Sequence, residues 1–184
     1  MIAVVLGPPG AGKSKQSELL KDRDHIEWLY TGKLLREQND PAIDKFLDSG
    51  QLVEDNIVNK LVASFISRVN PDKVVVIDGF PRHLPQAEWL LRFATDNAHN
   101  VKVVIHIMVP DEVSKNRLAK RGREDDSPEA IATRLSEYER DIAPVVSYFE
   151  RNGVDVRPVD GDRPVEEVYK DMDRILNDVY QGKN

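Results

Sequence analysis

Residues 7–14 read GPPGAGKS, a G-x-x-x-x-G-K-[ST] spacing that follows the apolar run MIAVVL directly. Glycines here let the main chain coil until successive N–H groups face one cavity. A helix starting behind the loop adds unsatisfied amides and the positive end of its dipole. Gly10, Ala11 and Gly12 would supply amides, Lys13 can bridge the β- and γ-phosphates, and the Ser14 hydroxyl can reach a magnesium ion. An ordinary strand-to-helix turn has no need of a lysine and a hydroxyl at a fixed offset. The segment therefore reads as a nucleoside-triphosphate site, a feature that motors, GTPases, kinases and regulators share.

Three further stretches narrow the chemistry. VVVIDGFPRHLPQA sets Asp78 at the tip of an apolar run, then Gly79, Arg82 and Gln86. A carboxylate at a strand tip beside the loop is placed to hold magnesium through water. LYTGKLLREQ offers Thr31 and Arg36, and KNRLAKRGREDD offers Arg117, Arg121 and Arg123, with Arg134 further on. Arg117 and Arg121 are four residues apart and share one helix face. In-line phosphoryl transfer asks a protein to hold phosphates together and to neutralise charge on the equatorial oxygens. Arginine suits that task because its planar fork stays protonated and grips phosphate bidentately. No histidine or serine nucleophile is required. The Gln86 amide offers one donor and one acceptor, the complement of the N1/N6 edge of adenine.

These residues need a scaffold that brings them to one place. Ile2–Leu6, Val74–Ile77 and Val101–Met108 are β-branched-rich runs of the length that buried parallel strands take, with Val154–Val159 and Ile26–Tyr30 as further candidates. Helical spacing marks Leu84–Ala94, Asp111–Arg121, Pro128–Glu150 with a bend or break at Pro144, and Arg163–Tyr180. The alternation predicts an α/β three-layer sandwich, a five-stranded parallel sheet with helices on both faces and right-handed crossovers. Thr31–Arg68 holds consecutive helical patterns and no strand, which reads as a helical flap inserted between two strands.

Composition sets outer bounds. The chain has 184 residues, 40% hydrophobic and 32% charged, enough for one substantial core. It has no apolar stretch long enough to span a bilayer and no basic leader, so no membrane association is expected. With no cysteine there is no disulfide or thiolate metal site, which fits a cytoplasmic protein. A net charge of −6 argues against nucleic-acid binding and requires any anion to be held by a local cationic pocket.

From GPPGAGK through TGKLLR, SGQLVED, DGFPR and RLSEYERDIAPV to VDGDRPVEEV, the chain resembles the adenylate kinases within the nucleoside monophosphate kinase family. The resemblance implies the P-loop fold and the reaction ATP + AMP ⇌ 2 ADP with no covalent intermediate. It implies that Lys13 and the loop glycines bind ATP phosphates and that Arg117 lies against its adenine. Thr31, Arg36, Val53, Arg82 and Gln86 would surround AMP, Arg36 and Arg82 holding its phosphate. Arg121, Arg123, Arg134 and Arg140 would clamp the phosphoryl groups, and Asp78 would orient hydrated magnesium. It further implies a core of residues 1–30, 61–121 and 127–184, a monophosphate-binding flap of residues 31–60, and a very short lid of residues 122–126. A monomer is expected.

The chain departs from that family at three places. Ser14 stands where those enzymes usually have glycine, Lys15 where they have threonine, and Lys33 where they have the aspartate of TGD. A cation in the first helical turn is disfavoured by roughly 0.3–1 kcal/mol, a sign that bound phosphate reverses. The lid is shorter than in both long- and short-lid relatives and lacks cysteine, so it holds no zinc. Asp125 and Asp126 are expected to position its arginines. Trp28 and Trp89 read as packing residues and His83 as turn surface, and His25, His99 and His106 have no partners at metal-ligand spacing. The competing readings are a kinase for UMP, CMP or dAMP, and a nucleotide-sensing protein with little turnover.

Overall fold

The computed structural model describes residues 1–121 and 127–182. Five strands, β1 (Ile2–Leu6), β2 (Ile26–Tyr30), β3 (Val74–Asp78), β4 (Val101–Met108) and β5 (Asp155–Asp160), form one sheet in the order β2-β3-β1-β4-β5. Every neighbouring pair is parallel. All residues of β1 and β3 are buried, as continuous apolar runs demand when both sheet faces are covered.

Side-chain alternation divides the core. Ile2, Val4, Leu29, Val75, Ile77 and Val104 face one layer of helices, while Ala3, Val5, Trp28, Val74, Val76 and Ile105 face the other. The second layer holds α1 (Lys13–Leu20) and α8 (Val165–Tyr180), packed on each other. The first holds α5 (Leu84–Asp96) against α7 (Pro128–Arg151). Between β2 and β3 lie α2 (Thr31–Arg36), α3 (Pro41–Ser49) and α4 (Asp55–Ile66), and α6 (Asp111–Arg121) follows β4. Leu35, Ile43, Val53 and Val58 carry the first core layer into this helical insertion. Asp40 caps α3 through the Ala42 N–H, and Ser127 caps α7 through the Ala130 N–H.

The sheet and the consecutive helices of the insertion match the pattern read from sequence, with strand and helix ends shifted by one or two residues. Two boundaries are informative. The expected break at Pro144 does not occur, and α7 runs unbroken through it. Proline in a helix interior costs about 3 kcal/mol, but Leu135, Val145 and Phe149 are all buried along this helix. Each buried apolar side chain contributes about 1.5–3 kcal/mol, enough to keep the helix continuous through the defect. Residue 60, the expected end of the flap, falls inside α4, so the flap returns to the core as a continuous helix.

Candidate active site

Parallel strands gather their carboxyl ends on one side, and a crevice opens there. It is a cavity of about 520 Å³ whose wall includes the loop after β1, the loop after β3, the insertion and the inner face of α7. Among the described residues, eight on its wall are lysine or arginine and two are acidic, Asp78 and Glu137. A chain with net charge −6 thus concentrates positive charge at one place.

The loop after β1 has the coil that its glycines permit. Gly10 has φ +85° and Gly12 has φ +91°, the left-handed region that side chains disfavour. A Cβ on Gly10 would also come within 2.6 Å of the Ser114 carbonyl oxygen on α6. Gly12 caps α1, so the first amides of that helix point into the crevice. Lys13 Nζ donates to the Gly7 and Pro8 carbonyls at 2.7 and 3.0 Å, which holds the ammonium across the loop. Ser14 and Lys15 lie beside it on the cavity wall.

Asp78 ends β3 directly beside Val5 of β1 and Tyr30 of β2. Strand register therefore sets its carboxylate between the loop and Thr31. The carboxylate of Asp78 and the hydroxyl of Ser14 line one cavity, a donor set suited to a hard cation that also takes phosphate and water oxygens. Gly79 follows, and its carbonyl accepts from Arg82 Nε at 3.0 Å. Arg82 is exposed to solvent through the crevice, whose wall its side chain joins. Desolvation lowers its pKa, Asp78 and Glu137 oppose that shift, and the cations Arg134 and Arg36 add to it. Water in the crevice tempers the burial penalty, and the arginine stays protonated.

The opposite wall is assembled over long sequence distances. Thr31 is buried, and its hydroxyl has no hydrogen-bond partner among the described residues. Arg36 and Val53 line the crevice from the insertion. Arg134 Nη2 donates to the Leu47 carbonyl at 2.9 Å, tying α7 to the end of α3. Gln86 is 2% exposed, and both ends of its amide are engaged. Arg117 Nη1 donates to the Gly161 carbonyl at 3.0 Å, and Arg121 lies on the same rim.

The site residues read from sequence lie on this one cavity with two exceptions, Arg140 and Arg123, the latter lying outside the described residues with the expected lid 122–126. Arg140 is not on the wall; it is exposed and pairs with Asp141. Lys15 and Lys33 both reach the wall, and each also pairs with a nearby glutamate, Glu18 on α1 and Glu37 at the C-cap of α2. His83 is not simple turn surface, because its Nε2 meets Asp55 Oδ1 at 2.9 Å. His106 Nε2 lies 2.9 Å from the Tyr138 hydroxyl. Burial lowers the His106 pKa and raises that of Tyr138. Trp28 is core, and Trp89 stacks on Phe93 and meets Phe80 edge-on.

Sequence reasoning missed Glu137, Tyr138 and Ile142 on the cavity wall. Their signal was available, since they follow Arg134 at helical spacing on one face of α7. Burial raises the Glu137 pKa, against the opposing pull of Arg140 and Arg82.

The family model described as Adenylate kinase matches residues 5–154. Adenylate kinase of Leuconostoc mesenteroides subsp. mesenteroides is 33% identical over 182 aligned residues, covering 96% of this chain and 97% of that relative. The adenylate kinases of Brucella ovis and Brucella canis are each 36% identical over 192 aligned residues, covering 96% of this chain and 98% of theirs.

Proposed function

The chain belongs to the adenylate kinase family and catalyses reversible phosphoryl transfer from ATP to AMP, giving two ADP; we propose that it does so with the two nucleotides end to end in the crevice after the strand ends. The observation that carries this reading is one cavity lined both by the phosphate loop and by Arg36, Arg82 and Arg134. ATP phosphates would rest on the amides of Gly10, Ala11 and Gly12 and on Lys13, with Lys15 at the edge and adenine against Arg117. AMP would lie among Thr31, Val53, Gly79 and Gln86, its phosphate between Arg36 and Arg82. The buried Thr31 hydroxyl is a donor suited to that ligand.

Catalysis on this reading is positioning and charge neutralisation. Lys13, Arg82, Arg121, Arg123 and Arg134 would surround the transferring group, each stronger against the spread charge of the transition state than against the separate nucleotides. Asp78 and Ser14 would hold magnesium, largely through water. That ion would offset charge on the ATP phosphates. Residues 31–60 would close over AMP from the core formed by 1–30, 61–121 and 127–184. The short lid of 122–126 would cover little of the donor. We expect a cytoplasmic monomer, and a chain without cysteine fits a reducing compartment. No helix among the described residues is long and apolar enough to cross a membrane.

A coupled assay of ADP formation from ATP with AMP, dAMP, CMP and UMP, repeated across magnesium concentrations, tests the reading. AMP is expected to give the highest kcat/KM, with turnover dependent on magnesium. A preference for UMP or CMP would overturn the acceptor assignment. In the same assay without a monophosphate, the short lid should admit water and give ATP hydrolysis above that of a long-lid relative. Hydrolysis at buffer background would remove the lid from the account.

A further inference from the structure

Gln86 sits in the first turn of α5, buried, on the wall of the acceptor side. A glutamine amide can turn over about its last torsion and present either donor or acceptor at a given place. Here the turn is blocked from both ends. The Arg82 main-chain N–H donates to Gln86 Oε1 at 2.8 Å, and Gln86 Nε2 donates to Asp55 Oδ1 at 2.8 Å. A main-chain N–H can only donate and an ionised carboxylate can only accept. Reversing the amide would set donor against donor and acceptor against acceptor, losing two partly buried hydrogen bonds together.

Asp55 is held in turn. The same Oδ1 accepts from His83 Nε2 at 2.9 Å, so that nitrogen carries the proton. Asp55 opens α4 in the inserted segment, whereas His83 and Gln86 belong to the core side, at the start of α5. The contact therefore joins the two parts that enclose the acceptor base.

We propose that Asp55, steadied by His83, is a positioning residue that locks the Gln86 amide in the orientation that reads a 6-aminopurine and rejects a 6-oxopurine. This rests on the reading that Gln86 meets the acceptor base. Each end of the locked amide keeps one further bond to give. Oε1 can accept from the 6-amino group of adenine, and the second N–H of Nε2 can donate to N1. Hypoxanthine presents an oxygen at position 6 and an N–H at position 1, the reverse pattern, and would need the turned amide. Discrimination then comes from groups left unpaired in the wrong complex, a stronger device than a difference in shape. It is also set from the insertion, through α4, and not by Gln86 alone.

The test compares kcat/KM for AMP and IMP as acceptors, with ATP as donor, in the wild type, Asp55→Ala, Asp55→Asn and Gln86→Ala. The ratio of the two constants within one preparation does not depend on how much of it is folded. In Asp55→Ala the AMP/IMP ratio is expected to fall at least about tenfold, with IMP gaining as AMP loses. Asp55→Asn retains an acceptor oxygen for Nε2 and is expected to restore the ratio to near the wild-type value. If Gln86→Ala collapses the ratio while Asp55→Ala leaves it at the wild-type value, the lock is overturned. A ratio unchanged in Gln86→Ala overturns the reading of Gln86 itself, which is a different failure.

Discussion

On the phosphate wall, Gly10, Gly12, Lys13 and Ser14 come from one short loop and the first turn of α1, and the main chain itself aims them. On the acceptor wall, Arg36, Gln86 and Arg134 come from three separate helices and are oriented by contacts with distant residues, Asp55 and Leu47 among them. The difference separates two tasks. Gripping a triphosphate needs amides and a cation at fixed offsets, which local geometry can supply. Recognising a second nucleotide and closing on it needs side chains whose positions depend on where the insertion sits.

If the phosphate wall works through charge fixed by the local backbone, Lys13→Met should produce the largest loss, about 10²–10³-fold in kcat, with the fold intact by circular dichroism. A loss confined to KM for ATP would mean that Lys13 grips the ground state only. On the acceptor wall, Arg134→Lys keeps the charge but loses the planar fork that also reaches the Leu47 carbonyl. It should lower kcat roughly 10²-fold and raise KM for AMP more than KM for ATP. Equal effects on both nucleotides would dissolve the distinction between the walls.

Lys15 and Lys33 lie at the margin of both walls and are partly offset by Glu18 and Glu37. Lys15→Gln and Lys33→Gln should each weaken nucleotide binding by no more than about fivefold, an effect that fades as salt is raised. Unchanged affinity and unchanged magnesium dependence in both variants would reduce them to surface charges. The smallest expected effect concerns His106, behind the wall. Burial lowers its pKa below the ordinary 6.5, so the unfolded chain binds more protons as pH falls past that value. Its contribution to stability is therefore full above about 6.5 and lost as pH falls through the lowered value. His106→Gln should lessen the fall in Tm between pH 7 and pH 5 by at most about 4 °C. A steeper fall in the variant would contradict that sign.

What could be read from the sequence divides along the same line. GPPGAGKS, Asp78 and the strand runs were legible because each is specified by neighbours in the chain or by uninterrupted burial. The arginines were legible as residue types, because phosphate chemistry requires them. Helical spacing would also have revealed Glu137 and Tyr138 had α7 been followed one turn beyond Arg134. The Asp55–His83–Gln86 contact was not legible, because Asp55 and Gln86 are joined only after α4 and α5 have packed. Of the two readings at Pro144, a bend or a break, the break is excluded for a similar reason: propensity marks it, and buried neighbours override it.

The central claim is that both walls serve one continuous ligand chain, and a crystal structure with an adenosine–pentaphosphate–adenosine bisubstrate analogue tests it most directly. The expected result is one molecule spanning the crevice, with Lys13, Arg36, Arg82 and Arg134 in hydrogen-bonding distance of its phosphates and one adenine edge on Gln86. A second adenosine lying outside the crevice, with Arg36 and Arg82 away from any phosphorus, would contradict it.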